Sequence, residues 1–434
     1  MDRNSSQYKK CVEILKEELV PAMGCTEPIA IAYCAALAKQ YLGCMPDRVL
    51  VEASGNIIKN VKSVVVPNTD HMRGLPVAAA AGIAAGDPEK KLQVISGISK
   101  EQIDRIGEFL NTAQIEVMHL DTGRVFDLIV TVYKDDHYAS CRIMNYHTNV
   151  VHIEKDGVTV LDRETDAGGE QQALTDRDFL SCSVIYDFVE SVDIEDVRDV
   201  IERQISFNMA IAEEGIRNKY GAEIGQTLLK GAEALKGNNE YHYIREKAKA
   251  YAAAGSDARM NGCEMPVVIN SGSGNQGITA TVPVVIFAEH LGVSEEKKIR
   301  ALVLSNLIAI YQKYPIGRLS AYCGAVNAGA GAGCGIAYLY GEGIEGIEHT
   351  LVNALAIASG VICDGAKASC AAKISLSVDN GIFGYEMWKN GSQFLGGEGI
   401  IKKGSDNVIK NVGRLAHDGM KETDKEILRI MLSC

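Results

Sequence analysis

FDLIVTVYKDD, Phe126 to Asp136, and ASCRIMNYHTNVVHIEKDG, Ala139 to Gly157, alternate apolar and polar residues and break at Asp-Asp and Asp-Gly. A period of two bounded by such turn residues is the pattern of paired β-strands. The same texture begins at RVLVEASGN (48–56), continues through VKSVVVPNTD (61–70), KLQVISGI (91–98) and IEVMHLDTG (115–123), and ends near Val160, with a helix over Lys100 to Thr112. From Arg177 onward the pattern is helical, in Ala-, Leu- and Ile-rich segments separated by turns that contain glycine. Strands followed by a long helical run predict an α+β fold.

Upstream of the strands, residues 6–20 read as an amphipathic helix with Val12, Ile14, Leu15 and Leu19 along one side, ended by Pro21. A second helix, Thr26 to Tyr41, opens with Thr26-Glu27-Pro28, which suits a cap, an acidic first turn and an early proline. The expected layout is a mostly helical catalytic domain made of residues 1–44 and 177–434, with a smaller α+β domain inserted at 45–176. Within that insertion, RETDAGGEQQALTD (163–176) reads as an exposed linker.

A chain of 434 residues with 47% hydrophobic and 23% charged residues and 9 prolines is neither collagenous nor wholly disordered. The balance of 44 Lys+Arg against 56 Asp+Glu gives a net charge of −12 and holds no dense basic run, so nucleic acid is not expected as a partner. The first residues, MDRNSSQYKKCVEILKEELVPAMG, carry charges where a signal peptide needs an apolar segment, and a cytoplasmic location is expected. Twelve cysteines in a reducing compartment are then free thiols rather than a disulfide framework. Met265–Ala288 and Leu319–Gly341 lack charges over membrane-spanning length, but SGSGNQG interrupts the first and Gly, Ala and Asn dilute the second. Buried helices are the expectation, with no membrane partner.

Three segments could carry chemistry. AYCGAVNAGAGAGCGIAYLYG, Ala321 to Gly341, and GVICDGAKASCAAKI, Gly360 to Ile374, each set a cysteine beside glycine and run into an Ala-rich helix. Thiolates so placed suit a soft metal or an iron–sulfur cluster, and buried core cysteines fit the residues equally well. Lys367 within CDGAKASC is a candidate base or carboxylate partner, or a solvated helix lysine. MPVVINSGSGNQGITATVPVVIFAEH, Met265 to His290, feeds a β-branched run through the polar turn Ser271–Gly277 into an apolar helix. That turn offers hydroxyls and backbone N–H groups to an anion and matches neither a Walker loop nor a dinucleotide fingerprint. The third segment, Ala53-Ser54-Gly55-Asn56 with Lys59 and Lys62, reads more as a turn than as a site. Cys25 falls at a helix N-terminus, where the helix dipole favours a thiolate.

Taken together, GCTEPIAIA (24–32), SGSGNQGITATVPV (271–284), CGAVNAGAGAGCG (323–335) and CDGAKASCAAK (363–373) resemble the L-cysteine desulfidase branch of the iron–sulfur L-serine dehydratase alpha-chain family. The resemblance runs over nearly the whole chain. It implies a [4Fe–4S] cluster and β-elimination from a small amino-acid substrate, with Cys25, Cys323 and Cys363 matching the cluster ligands and one iron left open. Thr26, the turn residues Ser271, Gly272, Ser273, Gly274, Asn275 and Gln276, and Asn327 become candidates for holding the substrate carboxylate. Serine dehydratase relatives carry a Ser-His-Thr type segment where this chain has Gly24-Cys25-Thr26, and a further ligand cysteine downstream where it has Ala and Lys, which favours L-cysteine over L-serine. Cys434 matches the terminal cysteine of some serine dehydratases. A serine dehydratase-type deaminase and a non-enzymatic iron–sulfur or amino-acid-binding sensor are the alternatives, and a homo-oligomer is compatible with each.

Overall fold

The computed structural model describes residues 1–24, 26–163, 174–317 and 320–432. Cys25, Cys434 and most of the 163–176 segment lie outside the described residues.

The fold is α+β and mostly helical. The chain opens with α1 (Ser6–Glu18), capped by the Ser5 hydroxyl, then β1 (Pro21–Met23) and α2 (Thr26–Leu42). Next come β2 (Arg48–Ala53), α3 (Gly55–Val61), α4 (Leu75–Ala85) and α5 (Lys100–Thr112). Five strands follow: β3 (Gln114–His119), β4 (Asp127–Lys134), β5 (His137–Met144), β6 (Val150–Lys155) and β7 (Val158–Asp162). They form one sheet with β2 in the order β3-β2-β4-β5-β6-β7, β2 running parallel to β3 and antiparallel to β4. The Asp156-Gly157 hairpin has positive φ at both residues, the backbone that Asp-Gly accepts at low cost in a tight turn. Alternate residues Val49, Val51, Leu128, Val130, Val132, Cys141 and Ile143 are fully buried in a core shared with α2 and α4.

The remainder is a bundle: α6 (Cys182–Ser191), α7 (Arg198–Arg217), α8 (Ile224–Glu233), α9 (Glu240–Met260), α10 (Gly274–Leu291), α11 (Glu295–Lys313), α12 (Gly324–Leu339), α13 (Ile344–Ala358), α14 (Cys370–Lys389), α15 (Ser405–Arg414) and α16 (Lys421–Leu432). A short strand before α10, β8 (Pro266–Val268), pairs antiparallel with β1. The two charge-free stretches become the buried helices α10 and α12, and no described helix is long and apolar enough to cross a membrane.

Packing divides residues 1–44, which the sequence grouped with the bundle. Tyr8 to Ala22 join the helical core, whereas Ile29 to Leu42 of α2 join the core under the sheet. A helix that is apolar around its whole circumference gives no sign of which core it will enter. Two expected strands are absent. VKSVVVPNTD finishes α3 and then forms a loop with a single bridge, Val65 to Arg73, its valines buried beneath it. KLQVISGI falls on a 3₁₀ turn over Pro88–Gln93, with Lys91 at φ 48°. Short apolar runs bury equally well as strand, helix or loop, and neither segment had a partner strand to pair with.

Candidate functional site

A cavity of about 520 Å³ opens where the two cores meet. Its walls come from the start of α2, from α3, from the sheet loops around Phe126 and Tyr146, from the N-termini of α10 and α12, and from the loop before α14.

One wall carries thiols. Tyr322 and Ile362 form an antiparallel bridge, with Cys323 N donating to Val361 O at 3.0 Å and Cys363 N to Ala321 O at 2.6 Å. This register sets Cys323 and Cys363 diagonally on one face, where Cα atoms stand roughly 7–8 Å apart. Cys323 is also the N-cap of α12, and Cys370 is the first residue of α14. All three cysteines border the cavity. Burial, with the neighbouring Cys363 adding to it, pushes the Cys323 thiol up to about 12, and burial likewise raises Cys370. Metal binding here therefore displaces protons. Beside them Lys373 and Lys367 both pair with Asp364. Burial alone would raise the Asp364 carboxyl, but the two lysines outweigh it and hold it at about 2. Burial works to deprotonate Lys373, and the bond to Asp364 reverses this and keeps it charged.

The facing wall is polar. Asn270 and Ser273 close a two-residue turn by exchanging backbone bonds of 3.1 and 3.0 Å. Its tip has φ 51° at Ser271 and 79° at Gly272, and left-handed backbone at a serine costs on the order of 1 kcal/mol. Buried amides stabilise it: Ser271 Oγ donates to Asn270 Oδ1 at 2.9 Å, Asn270 Nδ2 to Asn306 Oδ1 at 2.9 Å, and Asn306 exchanges bonds with Gln204 at 2.8 and 2.9 Å. The Ser273 hydroxyl then caps α10 by accepting from Gln276 N at 3.4 Å. Arg259, from the end of α9, reaches this turn and donates from Nη1 to Asn275 Oδ1 at 3.2 Å.

Of the sequence-predicted residues, Thr26, Ser271, Gly272, Ser273, Asn275, Gln276, Cys323 and Cys363 border this one cavity. Gly274, Asn327 and Lys367 are not among its lining residues. Gly274 starts α10 and leaves space for Arg259. Asn327 lies within α12, fully buried, with its carbonyl accepting from Gln312 Nε2 at 3.1 Å. Lys367 is spent on Asp364 and on Gly365 O at 3.2 Å. Cys25 lies outside the described residues, and among those residues no group of three or more His, Cys, Asp or Glu side chains has the geometry of a metal centre. The donor chemistry of Cys323, Cys363 and Cys370 nevertheless suits thiolate-bound iron. Sequence reasoning did not select Arg259, Lys373 or Lys59, which lines the cavity and is ion-paired with Asp424 of α16. The visible signal for Arg259 was a lone cation ending the Ala-rich run AYAAAGSDARM.

Comparison with known proteins defines the class. The family model described as the serine dehydratase alpha chain matches residues 89–429. The chain belongs to this family, whose chemistry is that of dehydratase-type lyases. It is 53% identical over 434 residues to a UPF0597 protein of Desulfitobacterium hafniense, covering 100% of this chain and 99% of that one. A UPF0597 protein of Lachnoclostridium phytofermentans is 49% identical over 98% of this chain and 100% of its own, and one from Fusobacterium nucleatum is 43% identical over 98% and 99%.

Proposed function

We propose that the protein is an iron–sulfur-dependent β-eliminating lyase that converts L-cysteine to pyruvate, ammonia and sulfide. The observation that carries this reading is the single cavity bordered on one side by Cys323 and Cys363 and on the other by the turn Ser271–Gln276. Cys323 and Cys363, with Cys25, would hold the [4Fe–4S] cluster. Once bound, that group supplies Lewis acidity for polarising the substrate and its leaving group.

The chain's own groups account for the rest. The α10 N-terminus and its serine hydroxyls favour a carboxylate, which orients the amino acid with its β-carbon toward the thiol wall. Lys373, kept protonated by Asp364, adds positive charge where sulfide would depart. Loss of the Cα proton and of hydrogen sulfide gives aminoacrylate, and its hydrolysis gives pyruvate and ammonia.

A second reading, L-serine dehydration, is favoured by the family match itself. Pyruvate formation from L-cysteine and L-serine by anaerobically reconstituted protein separates the two. A kcat/KM for L-cysteine that exceeds that for L-serine supports the desulfidase, and the reverse order replaces it with the dehydratase.

A further inference from the structure

We propose that Arg259 is the anchor for the substrate's α-carboxylate, with the Gln276 side-chain amide as its companion, so that the cavity selects free α-amino acids. The proposal rests on the amino-acid lyase reading for the kind of ligand, and on the geometry for the residue.

Arg259 is 5% exposed, and its Nε has no partner among the described residues. Its side-chain contacts, Asn275 Oδ1 and the distant Met260 Sδ at 4.0 Å, are both neutral. Burying a guanidinium with a donor unused is costly unless an anion completes it. Its position sharpens the point. A Cβ on Gly274 would stand 2.3 Å from Arg259 Nε, so the cation lies directly against the first residue of α10, an 18-residue helix. A helix N-terminus carries roughly half a positive charge. Two positive ends therefore converge at one buried place on the cavity wall, an arrangement that a shared carboxylate relieves.

Gln276 supplies the second observation. It is 4% exposed, lines the same cavity, and its Oε1 is buried without a partner. A Cβ on Gly324, next to Cys323, would stand 2.6 Å from Gln276 Cδ, so this amide reaches from the polar wall to the thiol wall. An unused cationic donor and an unused amide acceptor in one turn match the carboxylate and ammonium of an α-amino acid. A decarboxylated or amidated ligand satisfies only one of them.

The test uses the full-length, anaerobically reconstituted protein and two probes without a leaving group, L-alanine and L-alaninamide, with binding measured by calorimetry. The expected result is that wild type binds L-alanine at least ~10-fold more tightly than L-alaninamide, the factor a charge-assisted hydrogen bond supplies. Arg259→Gln should lose this preference, Arg259→Lys should recover part of it, and KM for L-cysteine should rise more than kcat falls. Arg259→Gln that binds L-alanine within about threefold of wild type overturns the anchor, as does a wild type that does not distinguish the two probes. The second comparison needs no variant and stands even if Arg259→Gln does not fold. Turnover of L-cysteine without a preference for L-alanine removes the anchor and spares the lyase. An Arg259-dependent preference without pyruvate from any amino acid supports the anchor and removes the lyase.

Discussion

The glycine-rich start of α10 and the glycine-rich body of α12 look alike in sequence and serve opposite ends. At the cavity, Gly274 and Gly324 make room for polar side chains, Arg259 and Gln276. Inside the bundle the glycines make room for backbone. A Cβ on Gly329 would meet Ser377 O at 2.2 Å, one on Gly333 would meet Gly381 O at 2.3 Å, and one on Gly381 would meet Gly329 O at 2.0 Å. The cysteines of α12 divide in the same way: Cys323 borders the cavity, and Cys334 is fully buried, its thiol raised by desolvation and turned toward Ile347 O at 3.6 Å. A motif that reads as one unit thus holds a chemical end and a packing end, and the boundary between them is a turn or two of helix.

Substitution should expose that boundary. The largest effect is expected at Cys323: alanine there removes both visible absorption and pyruvate formation, because three protein thiolates are already one short of the usual four. Cys334→Ala should keep both and lower stability by about 1–3 kcal/mol. Loss of absorption in Cys334→Ala with Cys323→Ala silent breaks the comparison.

Packing comes next. Gly381→Ala drives a methyl group into the Gly329 carbonyl and should destabilise by ~3 kcal/mol or more in denaturant unfolding. An unchanged midpoint would mean that α12 and α14 do not need their close approach. Asn306→Ala should cost about 2 kcal/mol, since it strips partners from Gln204 and Asn270, and should raise KM through the loosened turn.

The smallest effect concerns Asp257, one turn from Arg259's neighbours on α9. It caps α8 by accepting from Gly225 N at 2.9 Å, and burial raises its carboxyl to about 6, above its ordinary value. Because the folded value exceeds the unfolded one, ionisation penalises the native state above pH 6, and the penalty fades as pH falls toward 4. Asp257→Asn should therefore be more stable than wild type at pH 7, with the gap closing by pH 4 in thermal melts. A gap independent of pH would assign Asp257 another role.

Much of this arrangement was legible in the residues, for reasons that also explain the failures. Helix α5 and strands β3 to β6 announced themselves because each has one buried face and one exposed face. Helix α4, LPVAAAAGIAA, gave no such period because it is buried on nearly every side. The thiol segments and the Ser271–Gln276 turn stood out by composition, and the cavity places them opposite each other. Composition could not tell Asn327 and Lys367, which do not line it, from Arg259 and Lys373, which do. That distinction depends on which way a helix is turned once packed, information held in distant partners such as Gly274 and Asp364.

The most direct test of the central claim is the stoichiometry of products from L-cysteine, measured on an anaerobic, iron- and sulfide-reconstituted sample whose visible spectrum is recorded in parallel. The account predicts a brown protein that releases pyruvate and sulfide in equal amounts, with both products and colour lost together on exposure to air. A colourless protein with full turnover, or a brown one that yields no pyruvate from L-cysteine or L-serine, would contradict it.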